Sequence, residues 1–255
     1  MERIISYYAS MEKDIPVGKG LFIKPIRVRD YYTFINCQEV LFFNKNEIAD
    51  IKIIQMSYFQ FLLSYVRNMR RQLMGMKAGD LYMQKFGTLL ELTTGIPIEN
   101  ISVTKDGDLW YLMLGDIKMD DELFNDWKNM VLLANIKDYD LGEKYEDPDY
   151  KRDKEEYYKI KNKGLIAPNL EKRIRAVMLM TGMTKSDILD MTYRDFEEIL
   201  SLGMKKIDYS IQMQAAMSGM VKFEQTPEHW LYSREKTLSD FGMVDFDDFT
   251  KKVTI

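Results

Sequence analysis

Apolar residues recur along the chain with two different periods, and each period predicts a different kind of element. Between Asn100 and Leu114 (NISVTKDGDLWYLML) the pattern is two-fold. Ile101 and Val103 lead into Lys105-Asp106-Gly107-Asp108, and Trp110, Tyr111 and Leu112 follow, which reads as a β-hairpin around a glycine-containing turn. Gly18 to Val28 (GKGLFIKPIRV) reads as a short strand, with Pro25 marking an edge position or a bulge. Elsewhere in the first half the period is helical. Asp30 caps a stretch running through Phe43, and Ile51 to Met74 is the longest helical candidate, ending in the basic cluster Arg67, Arg70 and Arg71. Leu81 to Leu92 forms another helix, closed by Thr93, Thr94 and Gly95. Met119 to Leu133 is capped by Asp120 and Asp121, and its Leu123, Phe124, Trp127, Met130, Val131 and Leu132 share one buried face.

Helical spacing resumes after Pro168. Asn169 caps a helix from Leu170 to Thr181, with Ile174, Val177, Met178 and Met180 pointing inward. Two short capped helices follow in MTKSDILDMTYRDFEEILSLG, Met183 to Gly203. Thr184 precedes Asp187 by three residues, and Thr192 precedes Asp195 by three, so each pair is a capping-box-like start. Ile207 to Met220 (IDYSIQMQAAMSGM) is a further amphipathic helix, and Val221 to Tyr232 is a strand or an extended arm.

A shift in composition separates these two regions. Lys137 to Gly164 is dominated by charge, is interrupted by Gly142 and Pro148, and has mostly tyrosine as its apolar content. Asp147 and Lys151, and Glu155 and Lys159, are spaced for helix-surface pairs, so the segment reads as a solvated linker, partly helical after Pro148. The fold class that follows is α+β and mainly helical. A small N-terminal α+β domain with a β-hairpin (1–136) leads through the charged linker (137–164) to a C-terminal helical domain (165–233). An acidic, aromatic tail (234–255) ends the chain, with Phe241, Val244, Phe246 and Phe249 among Asp240, Asp245, Asp247 and Asp248.

The 255 residues suffice for one large or two smaller cores, and 46% hydrophobic with 30% charged residues describes a soluble globular protein. Apolar runs such as Phe59 to Val66 are far too short to span a membrane. Met1 to Asp14 contains Glu2, Glu12 and Asp14 and lacks the pattern of a signal peptide. With a single cysteine, Cys37, no internal disulfide can form, which fits the cytosol. A net charge of −4 gives no general attraction to nucleic acid or anionic lipid. The 19 methionines fill a helical core or line an adaptable binding surface.

Candidate chemistry is sparse. His229, in PEHW, is the single histidine, so no His/Cys zinc spacing can be written. No serine sits in a nucleophile elbow, and Cys37 lies in an apolar helical pattern. Gly18-Lys19-Gly20 is too short for a phosphate loop, and Asp245 to Asp248 lacks the frame of a calcium loop. Nothing implies a cofactor or a metal. A carboxylate-based enzyme is left as an alternative, while a binding or assembly protein fits the inventory better.

The two capped helices have the outline of a helix-turn-helix. Within it, however, Lys185 and Arg194 face Asp187, Asp190, Asp195, Glu197 and Glu198. A recognition helix needs Arg, Lys, Asn or Gln at its exposed start, and this one presents acids that phosphate repels. The outline therefore predicts a packing hairpin, without nucleic-acid binding.

The string ELFNDWKNMVLLANIKDYD, the lysine- and glutamate-rich linker, then LEKRIRAVMLMTGMTKSDILDMTYRDFEEILSL, AAMSGMVKF and PEHWLY resemble tail assembly chaperone proteins of tailed bacteriophages of Gram-positive hosts. The resemblance covers about residues 119–232. It centres on Thr181 to Leu202, where such proteins carry a turn-capped helix pair. What it implies is a non-enzymatic protein of the host cytoplasm, absent from the mature virion. Such a protein binds the long helical tape measure protein and helps recruit tail tube subunits. The alternative in the same biology is a tail, baseplate or neck component retained in the virion, and self-association is open in either case. Met213, Met217, Met220, Phe223 and Trp230 are the candidate partner-binding residues. Ile211, Met213, Met217 and Met220 exceed what one narrow buried stripe needs, so part of the set faces the core and the rest points to a Met-lined groove for an amphipathic helix, the alternative being that all of them are core.

Overall fold

A computed structural model describes residues 13–42, 50–73, 75–136 and 168–219, with the isolated positions 8, 45, 48, 227 and 229–231. The 137–164 linker and the 234–255 tail predicted above lie outside the described residues. Two compact units emerge, Met1–Ile199 and Leu200–Ile255. The architecture is mixed α+β and mainly helical, with short antiparallel sheets.

The first unit opens on a β-hairpin of β1 (Ile15–Gly18) and β2 (Leu21–Ile23). The strand expected over Gly18 to Val28 is shorter, running only from Leu21 to Ile23, and the Gly18-Lys19-Gly20 turn that enters it also reverses the chain from β1. Lys19 and Gly20 both have positive φ, 49° and 81°, the backbone that a tight two-residue hairpin turn requires. Ile15 and Ile23 pair across the hairpin and are buried, and Pro25 falls beyond the strand. The Lys19 ammonium reaches Asp120 at 2.6 Å.

Helix α1 (Tyr31–Gln38) buries Phe34 and Cys37 and runs into a 3-10 turn that buries Val40 and Leu41. Asp30 stands at its N-cap without making a side-chain cap bond. The long helix expected over Ile51 to Met74 is broken. It becomes α2 (Ile51–Gln55), α3 (Tyr58–Ser64), a 3-10 turn at Val66–Asn68 and the strand β3 (Gln72–Leu73), which pairs with β4 (Met76–Lys77). Ser57 is the physical reason for the first break: its hydroxyl accepts the Gln60 N–H at 3.1 Å and starts a new helix.

Helix α4 (Ala78–Thr94) ends at Gly95, which takes the left-handed conformation (φ 72°) and donates its N–H to the Glu91 carbonyl. The hairpin read from Asn100 to Leu114 is present as β5 (Ile101–Asp106) and β6 (Leu109–Leu114), joined by Gly107-Asp108. A third strand, β7 (Ile117–Met119), pairs with β6 and was not visible in the alternation. Helix α5 (Asp121–Asn135) has Asp120 as its N-cap, accepting the Leu123 N–H at 3.0 Å. Its predicted apolar face is buried except for the half-buried Met130, with Phe124 against Phe59 at 4.7 Å and Trp127 edge-on to Phe86 at 6.0 Å. The fully buried Trp127 donates its indole N–H to Thr93 Oγ1 at 3.1 Å.

Helices α6 (Leu170–Thr181) and α7 (Lys185–Asp190) carry the predicted caps, Asn169 accepting from Lys172 N–H and Thr184 forming a full capping box with Asp187. Both belong to the first compact unit, as residues 168–199 pack against the segment around Arg27. Arg27 and Thr192 form a β-bridge. Tyr193 N–H donates to Ile26 O at 2.7 Å, and Val28 N–H donates to Met191 O at 3.1 Å. Arg27 also caps the end of α7 through the Asp190 carbonyl at 2.8 Å, and Arg29 pairs with the Asp190 carboxylate. Tyr31 stacks on Tyr193 at 4.5 Å.

Helix α8 (Tyr193–Met217) starts in the first unit and ends in the second. It fuses two helices expected to be separate, one ending near Gly203 and one starting at Ile207. An interior glycine costs a helix only about 1 kcal/mol, and nothing between Leu202 and Lys206 caps or ends it. Among the described residues no helix is long and apolar enough to cross a membrane.

Candidate partner-binding surface

Leu200, Met204, Ile207 and Ile211 follow one another on α8 at intervals of four, three and four residues, so they line one side of the helix. That side is open to solvent: Met204 is 57% exposed, Ile207 48% and Ile211 59%. Single exposed apolar residues are ordinary, but three in register on one helix form a stripe. Small residues flank it, Ser201 and Ala215 on one edge and Gly203 and Ser210 on the other. They leave room for a second helix to approach closely.

The other side of the helix is partly covered. Tyr209, Met213 and Ala216 are half-buried. His229 meets the Tyr209 ring edge-on at 5.2 Å, and the Lys206 ammonium lies 5.9 Å from the centre of the Trp230 ring, within cation–π range. His229 Nδ1 accepts the Leu231 N–H at 3.3 Å.

Of the five residues predicted to bind a partner, Met213 is half-buried, Met217 is 83% exposed and Trp230 is half-buried. Met220 and Phe223 lie outside the described residues. Trp230 meets α8 near Lys206, roughly three helical turns before Met217. The structure adds Met204 and Ile207, which the methionine-centred reading did not single out. Their signal was the spacing from Leu200 to Ile211, hidden by dividing the helix at Gly203.

The remaining candidates have other roles. Cys37 is buried, and burial pushes its thiol pKa up, away from the reactive thiolate. Among the described residues no cluster of His, Cys, Asp and Glu could hold a metal ion. In the helix-turn-helix outline, Arg194 donates to the Leu133 carbonyl at the end of α5 at 2.9 Å. Arg173 on α6 pairs with Glu197 and lies over the Phe196 ring at 5.4 Å. The outline is built into the packing of its own unit.

Compared with known proteins, the chain matches no family model, no curated protein and no solved structure.

Proposed function

We propose that this protein is a phage tail assembly chaperone that holds the tape measure protein soluble during tail morphogenesis, acting in the host cytoplasm and without catalysis. The observation that carries this reading is the exposed stripe of Met204, Ile207 and Ile211 on α8. A tape measure protein is a long helix with apolar faces, and a solvent-facing apolar stripe with small flanks suits helix-on-helix docking. Methionine adds side chains that adapt to many helix faces, useful for a partner engaged at successive sites. The sequence resemblance over residues 119–232 supports the same reading.

Co-expression with the tape measure protein of the same genome tests it. The wild-type chain is expected to keep the partner in the soluble fraction and to co-purify with it. Met204→Asp combined with Ile211→Asp should leave the chain folded, because both side chains already face water, and should return the partner to the pellet. A doubly substituted chain that still solubilises the partner rules out the stripe as the binding surface. Detection of the chain in purified virions would favour a retained tail component.

A further inference from the structure

Arg70 and Arg71 stand between the 3-10 turn Val66–Asn68 and β3, at the edge of an open depression of about 410 Å³. Ser64, Tyr65, Asn68 and Met69 complete its lining. Both arginines are exposed, and among the described residues neither pairs with a carboxylate. This sets them apart from Arg27, Arg29 and Arg173, which all have acidic partners. A third arginine, Arg67, lies three residues before Arg70, and its charge is shared with Lys105 at one ring. Arg67 lies over the Trp110 ring at 5.2 Å, and Lys105 lies 5.4 Å from the same ring centre. In a chain of net charge −4, Arg70 and Arg71 thus keep unneutralised positive charge at the depression.

The backbone beneath these side chains is pinned. Ala78 N–H, at the start of α4, donates to Arg71 O at 2.7 Å, and Gly79 N–H donates to Met69 O at 3.2 Å. Asn68 Nδ2 holds the Ser64 carbonyl at 2.5 Å. The guanidinium groups therefore project from a fixed base, which lowers the entropy lost on binding.

We propose that this depression docks an acidic segment of a partner protein. Its carboxylates pair with the guanidinium forks of Arg70 and Arg71, and a neighbouring apolar side chain rests on Met69 and Tyr65. Paired guanidinium donors match carboxylates bidentately, and the apolar wall has no use for a bare anion. Nucleic acid fits less well because the depression itself offers a single aromatic ring, Tyr65, where a strand of stacked bases needs a row of them. Tyr65 stacks on Phe61 with one face at 5.4 Å, and Trp110, outside the lining, carries two cations. This proposal stands apart from the tail assembly reading and uses none of the α8 residues.

Fluorescence anisotropy with a labelled twelve-residue peptide of glutamates interrupted by leucine and phenylalanine tests it on the full chain. Saturable, salt-sensitive binding is expected, weakened about tenfold or more by Arg70→Glu with Arg71→Glu. The paired Arg→Lys variant, which keeps the charge and loses the fork, should weaken it less. Far-UV circular dichroism and thermal melting of each variant confirm folding, which substitutions at exposed positions should preserve. A peptide that does not bind, or that binds the charge-reversed variant equally well, overturns the proposal. A single-stranded oligonucleotide that binds this surface more tightly than the peptide also overturns it, in favour of nucleic acid.

Discussion

The side-chain amide of Gln60 lies against the backbone of Trp110 as a strand would, donating from Nε2 to the Trp110 carbonyl at 2.7 Å and accepting the Trp110 N–H at Oε1 at 2.9 Å. Strand β7 pairs with β6 from Leu112 to Leu114 and stops before it can reach Trp110. In that register the partner of Trp110 would be Asp121, where α5 has already begun. Gln60 fills the vacant rung and ties α3 to the sheet.

Replacing this amide exposes what it contributes. Gln60→Leu keeps the size but leaves the half-buried N–H and C=O of Trp110 without their partner, at a cost of about 1–3 kcal/mol. Urea denaturation should show a lower midpoint with an unchanged slope. Gln60→Glu should be worse near neutral pH, since Asp121 Oδ2 lies 3.4 Å from Nε2. A Gln60→Leu midpoint equal to wild type would show that the rung is dispensable.

Two helix glycines should respond in opposite ways. A Cβ on Gly79 would lie 2.2 Å from the Arg67 carbonyl oxygen, a backbone atom that cannot turn aside. Gly79→Ala should therefore cost about 3 kcal/mol or more. At Gly87 the nearest atom is the Ile98 Cδ1 at 2.8 Å, the end of a partly exposed side chain that can rotate away. Helix propensity favours Ala by up to about 1 kcal/mol, so Gly87→Ala should be near neutral. Thermal melts of the two variants decide it, and equal losses would contradict the close approach at Gly79.

Asp187 provides a test by pH. The Thr184 hydroxyl and then the Thr184 backbone N–H hold its carboxyl below the usual carboxylate range. A carboxyl whose native pKa is depressed favours folding above its unfolded pKa, about 3.9, and that contribution is lost as pH falls through the lower native value. Thr184→Val removes the hydroxyl, so the Asp187 titration should move up toward the ordinary range. Carboxyl carbon chemical shifts read it directly. An unchanged midpoint would mean the capping box does not set this pKa.

The packing of residues 168–199 on the Arg27 segment predicts the outcome of cutting the chain. With a protease site inserted after Gly142, the cleaved halves should stay together in size-exclusion chromatography. The Tyr193–Ile26, Val28–Met191 and Arg27–Thr192 contacts all join the two sides of the cut. Halves that separate as folded pieces would instead support a division into the domains 1–136 and 165–233.

Features whose partners lie a few residues apart could be read from the chain alone. Asp120 with Leu123, Asn169 with Lys172, Thr184 with Asp187 and Gly95 with Glu91 are all local, so residue type and spacing state them. The β5–β6 hairpin belongs with them, since a two-residue turn sets its register. Contacts made across long stretches of chain were not readable in this way. Gln60 finds Trp110 50 residues away, and Arg194 finds the Leu133 carbonyl 61 residues away, with nothing in either neighbourhood naming the other. Breaks and fusions of helices fall between the two cases. Ser57 and Gly203 are both plausible boundaries, but the hydroxyl makes a cap bond that starts a helix, whereas the glycine only lowers local propensity. On α8 the spacing of Leu200, Met204, Ile207 and Ile211 is written in the sequence. Whether such a face is buried or left in water depends on which distant residues come to cover it, and only folding settles that.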